Sequence, residues 1–258
     1  MKTIIHLSQR YIPRTILIRL SYLFMWFSKV YYKGNKYTCP IIEQSFRKFL
    51  PYGAHQQRNN VLCPGNLSLE RHRLLWLFLK EKTNFFDEYH KMLHIAPEQC
   101  FYRRFKQMHN LDYTTADLNS PIADIHMDLH EIPLVDNSYD VIFCNHVMEH
   151  VKDDHQCMTE LFRILKPGGF AIIQIPQDLN REITLEDDPS IKDPKERERI
   201  YWQKDHLRLY GKDFAQRLRK AGFTVDENRF VDSLSPELVE KYRLPAGEPI
   251  YYCTKKID

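Results

Sequence analysis

Three carboxylates and three histidines stand where this chain could do chemistry. They are Glu98 in "LHIAPE", Asp117 in "TTADL", Asp128 in "HMDLHEIP", His146 and His150 in "NHVMEHV", and His206 in "KDHLRLYG". A carboxylate can accept hydrogen bonds from both hydroxyls of a ribose, which suits Asp117, or from the exocyclic amine of an adenine, which suits Asp128. Glu98 would repel a phosphate and attract a cation. An imidazole titrates near neutral pH, so His206 first, and His146 or His150 after it, could take a proton from an acceptor. Singly, each has a plainer reading: aspartate caps turns everywhere, and a lone histidine is more often a hydrogen-bonding part of the fold.

The elements that must position these residues are short apolar runs alternating with helical patterns. Strands are expected over residues 91–95, 113–116, 139–144 and 170–175, with a short third strand ending at Asp128. This alternation gives an open α/β sheet, in which ligands sit at the carboxyl ends of the strands. In "LKPGG" the helix stops, and Pro167, Gly168 and Gly169 turn the chain into the fifth strand. Two late strands come from "FTVDENRF" and "PIYYCTKK". Helices are expected over 68–82 with Ser68 as N-cap, over 212–220 with Gly222 as stop, and in "SPELVEKYRL" behind Ser235. Residues 177–204 are charged, hold Pro189 and Pro194, and are placed to cover the crevice mouth, with a short helix in "DPKERERIYW".

The first strand runs into Ala96, Pro97 and Glu98 where a dinucleotide site needs glycines and backbone N–H groups for a pyrophosphate. S-adenosylmethionine has no phosphate and carries a sulfonium and an ammonium. Charge therefore favours it over a nicotinamide dinucleotide.

With Asp117, the run "DLHEIPLVDNSYDVI" from Asp128, "NHVMEHV" and "LFRILKPGG" in this order, the chain resembles the class I S-adenosylmethionine-dependent methyltransferases of the type 11 family over about residues 90–255. It departs from them in the first loop, where "APE" replaces a glycine-rich turn and resembles a bacterial subfamily with that loop. The resemblance implies a Rossmann-like, seven-stranded, mostly parallel sheet with helices on both faces and the last strand antiparallel. It implies S-adenosylmethionine as cofactor, held by Ile95, Ala96, Glu98, Asp117, Leu118, Asp128, Leu129, Asn145 and His146. The acceptor is expected to be a small molecule or a saccharide or lipid-linked precursor.

Residues 1–35 hold six cations and no acid, which leaves 31 cations against 34 acids in the rest. A slightly acidic body gives no strong nucleic-acid signal. Residues 12–30 read as a helix with Pro13 in its first turn and an apolar stripe of Ile16, Leu17, Leu20, Leu23, Phe24 and Phe27. Docking of that stripe on the domain is favoured over peripheral contact with an anionic membrane, and Arg19 opposes spanning. Two Cys-Pro steps, at Cys39 and Cys63, resemble zinc knuckles with one sulfur each, since Ile42 and Asn66 occupy the second positions and His55 and His72 fit no standard spacing. No metal site is expected there. Scattered cysteines and no cleavable leader suggest a reducing, cytoplasmic setting, with the inner face of the membrane open to the N-terminal helix. The organisation expected is a basic amphipathic helix in 1–35, a degenerate knuckle connector and helix in 36–83, and a methyltransferase domain in 84–258. Arg71, His72 and Arg73 are expected on a solvated face. Two rival readings are an RNA methyltransferase with a relic knuckle and a non-catalytic membrane-associated protein with a spent cofactor pocket.

Overall fold

Three apolar runs, in His90–Ile95, Tyr139–Asn145 and Leu165–Gln174, are buried on both faces and form the middle of the fold, as expected where helices cover a parallel sheet on each side. The computed structural model describes residues 13–53 and 57–257. An N-terminal helix α1 (Arg14–Tyr31) leads into β1 (Lys33–Cys39), β2 (Gln44–Phe46), β3 (Leu50–Tyr52), β4 (Arg58–Leu62) and α2 (Glu70–Lys82). The α/β body then runs β5 (His90–Ile95), α3 (Gln99–Lys106), β6 (Leu111–Asp117), β7 (Ile125–His126), β8 (Tyr139–Asn145), α4 (Asp154–Ile164) and β9 (Leu165–Gln174). It closes with β10 (Leu185–Glu186), α5 (Pro194–Tyr201), β11 (Arg208–Leu209), α6 (Phe214–Lys220), β12 (Thr224–Asn228), α7 (Pro236–Tyr242) and β13 (Ile250–Thr254).

Seven strands make one sheet in the order β12-β13-β9-β8-β5-β6-β7. β5, β6, β7, β8 and β9 pair in parallel, and β13 enters antiparallel between β9 and β12. The strand order reverses between β5 and β8, so the crevice expected of such a sheet opens above Ile95 and Asn145. Alternate residues divide between two cores. Met92, Val141, Phe143, Phe170 and Ile172 face one side, and Leu93, Ile95, Ile142, Cys144, Ala171 and Ile173 the other. The Pro167-Gly168-Gly169 step differs from the expected turn, because β9 already begins at Leu165 opposite Tyr139 and the step is a bulge within the strand. A Cβ on Gly169 would lie 2.7 Å from the Asp140 carbonyl oxygen, so the bulge needs glycine there.

The connector is more ordered than a loop-rich segment. β1 with β2 and β3 with β4 form two antiparallel ribbons, and Tyr37, Phe46 and Phe49 share one core with α2 and the sheet. Cys39 and Cys63 meet inside it, and the Cys39 thiol also touches the Asn66 side-chain oxygen at 3.6 Å and the Ser68 hydroxyl at 3.4 Å. His55 lies outside the described residues. Ser68 is therefore not the cap of α2; the Leu69 N–H donates instead to His72 Nδ1 at 3.0 Å. His72 and Arg73 are also not on a solvated face. Every residue from His72 to Leu79 is buried, because the connector and the segment after α7 cover the side of α2 away from the sheet. The fully buried Arg73 guanidinium donates to the carbonyls of Val61, Ser68, Tyr242 and Arg243. One charge thus ties three segments together, and its removal would leave four carbonyl oxygens without this donor.

α1 docks the opposite way round from the expectation. Its serine edge faces the body: Met25 and Ser28 are buried, Ser21 accepts a hydrogen bond from Gln99, and the Arg103 guanidinium lies over the Tyr22 ring. The apolar stripe faces out, with Leu23 54% and Phe27 58% exposed. Ser21 finds a polar partner on α3, and that narrow contact leaves the broad face of the helix uncovered.

The first crevice loop is held by side chains. Ala96 sits at φ +48°, a left-handed conformation that costs a non-glycine residue about 1 kcal/mol. Beneath it the Glu98 carboxylate accepts from His94 Nε2 at 2.7 Å and from Asn145 Nδ2 at 3.2 Å, with His72 Nε2 at 3.6 Å. The Tyr113 hydroxyl hydrogen-bonds with His94 Nδ1 at 2.8 Å and completes the chain. Burial pushes the Glu98 carboxyl up, but the hydrogen bond and charge of His94, with His72 and Arg71 behind, hold it down at about 2. An unfolded glutamate titrates near 4.3, so ionised Glu98 contributes about 3 kcal/mol above about pH 4.5, lost as pH falls toward about 2. In denaturant titrations from pH 7 to pH 2, Glu98→Gln is expected to be less stable at neutral pH and to converge with wild type in acid. A difference independent of pH would contradict this network.

Candidate active site

Each of the two aspartates uses one oxygen for its own turn. Asp117 Oδ1 accepts from the backbone N–H groups of Asn119 and Ser120 at 2.8 and 2.6 Å. Asp128 Oδ1 accepts from the His130 backbone at 2.9 Å and from its ring at 2.6 Å. These bonds hold the Asp128 carboxyl below its usual range. No partner for either Oδ2 is found among the described residues, so one acceptor of each carboxylate is available to a ligand.

Both line one cavity of about 210 Å³ at the carboxyl ends of β5 and β6, beside the short β7. Ile95, Ala96, Leu118 and Leu129 supply its apolar wall, and Val147, His150 and Val151 close it. One side of this cavity is greasy and the other offers carboxylate oxygens, as a purine nucleoside requires. The glycine-free loop presents no cradle of N–H groups for a pyrophosphate.

A second cavity of about 350 Å³ opens across the turn after β8. His146 stands in its wall at φ +56°, its N–H fixed to the Gln174 carbonyl at 2.7 Å. The turn carrying His146 to Val151 thus separates the two cavities. Arg58, Arg71, Gln177, Trp202, Glu248 and Tyr251 also line the second one. Arg58 is paired with Glu70 at 2.7 Å, whereas Arg71 Nε is buried without a partner among the described residues. Burial pushes the Glu248 carboxyl up against the opposing pull of Arg71. Leu179 and Trp202 bring the charged excursion of residues 177–204 to this wall, at the two ends of that segment.

Three of the expected positions lie elsewhere. Glu98 and Asn145 line neither cavity; their polar groups are turned toward each other under the first loop. His206 is wholly buried, donates Nδ1–H to the Tyr201 carbonyl at 2.7 Å, and packs edge-on against His150 with 4.9 Å between ring centres. Burial pushes its imidazole down, only partly opposed by Glu149. His206 is therefore not in reach of an acceptor, and His146 is the histidine that borders the second cavity. Glu149 is also buried, and although burial pushes its carboxyl up, the hydrogen bond and charge of His146 hold it below its usual range.

Arg58, Arg71, Trp202 and Glu248 of the second cavity carry no functional expectation in the sequence. Arg71 alone had a legible signal, in a helix whose remaining residues are too apolar to leave a free polar face. Arg58 at the start of β4, Trp202 just after α5 and Glu248 just before β13 come together only in the fold.

Residues 91–173 match the family described as a methyltransferase domain. Over 72 residues the chain is 40% identical to a Mycolicibacterium smegmatis protein named a probable S-adenosylmethionine-dependent methyltransferase, covering 26% of this chain and 28% of that one. Over 56 residues it is 39% identical to the demethylmenaquinone methyltransferase of Listeria monocytogenes, covering 22% and 23%. The match thus spans about a quarter of the length of these curated relatives. Among solved structures, the Burkholderia thailandensis 1,6-didemethyltoxoflavin-N1-methyltransferase is similar with a TM-score of 0.48 at 14% identity, over 73% of this chain and 78% of that one. The family match falls on the strands that build the crevice, and residues 91–173 are similar to the methyltransferase domain family.

Proposed function

We propose that this protein transfers a methyl group from S-adenosylmethionine to a small-molecule, saccharide or lipid-linked acceptor, releasing S-adenosylhomocysteine. One observation carries the reading: two neighbouring carboxylates, each with one oxygen spent on its own turn and the other unpartnered, line a single cavity at the strand ends. The ribose hydroxyls would bond to Asp117 and the adenine amine to Asp128, with the apolar wall against the purine. The methyl-bearing sulfonium then lies toward the second cavity. Arg58, Arg71, Gln177 and Glu248 beside Trp202 and Tyr251 there suit a polyhydroxylated acceptor with an anionic group, stacked on a ring and hydrogen-bonded at its edge.

Methyl transfer from a sulfonium is an in-line displacement in which the acceptor's lone pair forms the new bond as the carbon–sulfur bond breaks. The protein's main contribution is to hold donor and acceptor in line. His146 is the candidate base for an acceptor that arrives protonated.

The site is proposed to work at an anionic membrane surface. Leu20, Leu23, Phe24, Trp26, Phe27 and Val30 of α1 are exposed, and the helix carries Arg14, Arg19 and Lys29 and no acid. That pattern fits a helix lying in the interface plane. Among the described residues no helix is long and apolar enough to cross a membrane. A lipid-linked acceptor would be met there.

Calorimetry with S-adenosylhomocysteine on wild type and Asp117→Asn tests the cofactor assignment. Asparagine keeps an oxygen for the 117–120 turn and removes the charge, so affinity should fall at least about tenfold, from about 1.5–3 kcal/mol for a charge-assisted hydrogen bond. Equal affinities would remove Asp117 from the site. Flotation tests the membrane reading: wild type should rise with phosphatidylserine-containing vesicles and stay down with neutral ones. Leu23→Asp/Phe27→Asp, both on exposed positions, should stay down with either. Absence of flotation, or flotation unchanged by the double substitution, would overturn that reading.

A further inference from the structure

Behind the turn that separates the cavities, Glu149, His150 and His206 bring one carboxylate oxygen and one nitrogen from each ring within 4.8 Å of one another. Two of these groups are buried and have no hydrogen-bond partner among the described residues: Glu149 Oε2 and His206 Nε2. His206 has its Nδ1–H committed to the Tyr201 carbonyl, so the nitrogen left over carries a lone pair. A carboxylate oxygen and an imidazole lone pair are both acceptors. Buried side by side, they need a positive centre between them.

We propose that these three residues bind a divalent transition-metal ion. A second feature fits a ligand role for the imidazoles, namely that metal-binding histidines usually fix their other ring nitrogen on a carbonyl or carboxylate. His206 does so on Tyr201, and His150 Nδ1 donates to the Asp205 carbonyl at 3.2 Å with the Asp205 carboxylate at 3.6 Å. Two imidazoles and one carboxylate select zinc, cobalt or nickel over magnesium or calcium, which prefer all-oxygen sets. The ion would also cross-link the 146–151 turn to the segment after α5, which the Leu207 N–H to Glu149 carbonyl bond at 2.7 Å already draws together. Three protein ligands leave a coordination position for water. Metal binding here is independent of the methyl-transfer reading.

Untagged, chelator-treated full-length protein titrated with cobalt(II), read by its visible absorption, tests the site. Wild type should give a band that saturates at one ion per chain, is displaced by zinc and is unaffected by magnesium. His150→Ala, at an exposed position that should not impair folding, and Glu149→Gln should each weaken binding at least about tenfold. His155→Ala, an exposed histidine outside the cluster, should change nothing. Lack of a saturable band in wild type, or equal affinity in wild type and His150→Ala, overturns the proposal. Parallel calorimetry with S-adenosylhomocysteine tells loss of the metal from loss of the cofactor site.

Discussion

A left-handed backbone at Ala96 without glycine is the constraint on which the crevice depends. Where the strand ends, the chain must turn sharply so that the cavity can open beside Asp117. Here the turn is made by an alanine and a proline, and a buried carboxylate holds it in place. Glu98 ties the loop to β5 through His94, to the end of β8 through Asn145, and to α2 through His72. The strain of a few backbone angles is small beside a satisfied charged network in a low-dielectric interior. A rigid floor results, and the cofactor side of the sheet is left free of phosphate-binding geometry.

That network explains why the connector ribbons and α2 are part of the body. His72 reaches Glu98 from the buried stretch of α2, His72 to Leu79, over which Arg73 gathers the carbonyls of the connector and of the segment after α7. Burial pushes the Arg73 guanidinium down in pKa, opposed by the neighbouring Cys39 and Cys63. The knuckle cysteines thus lie beside a buried cation. Their Cys-Pro steps follow β1 and β4, and β4 brings Arg58 to the second cavity.

Much of the fold was legible because strand burial is written in local sequence. The runs "HKMLHI", "YDVIFCN" and "FAIIQ" are apolar on both faces, and an acid closes each early strand. The strand-end positions of Asp117 and Asp128 were readable for the same reason, since such a position is set by the pattern before it. Glu98 was misplaced because a charge beside a crevice looks the same in sequence whether it faces ligand or interior. Its direction is decided by His72 and His94, one of them 26 residues away. His206 was misjudged similarly, since only the packing of α5 shows that its ring is enclosed. The reversal of α1 followed from a partner the pattern could not show: Gln99 and Arg103 of α3 offered a polar seat for Ser21 and Tyr22 and left the apolar stripe outside.

The most direct test is a crystal structure with S-adenosylhomocysteine. The nucleoside should lie in the 210 Å³ cavity, with its ribose hydroxyls on Asp117, its adenine amine on Asp128 and its sulfur toward His146. Ala96 should keep its left-handed conformation and Glu98 should remain turned inward. Density for the ligand elsewhere, or a first loop that must unfold to admit it, would contradict a crevice built on carboxylates and a pinned, glycine-free turn.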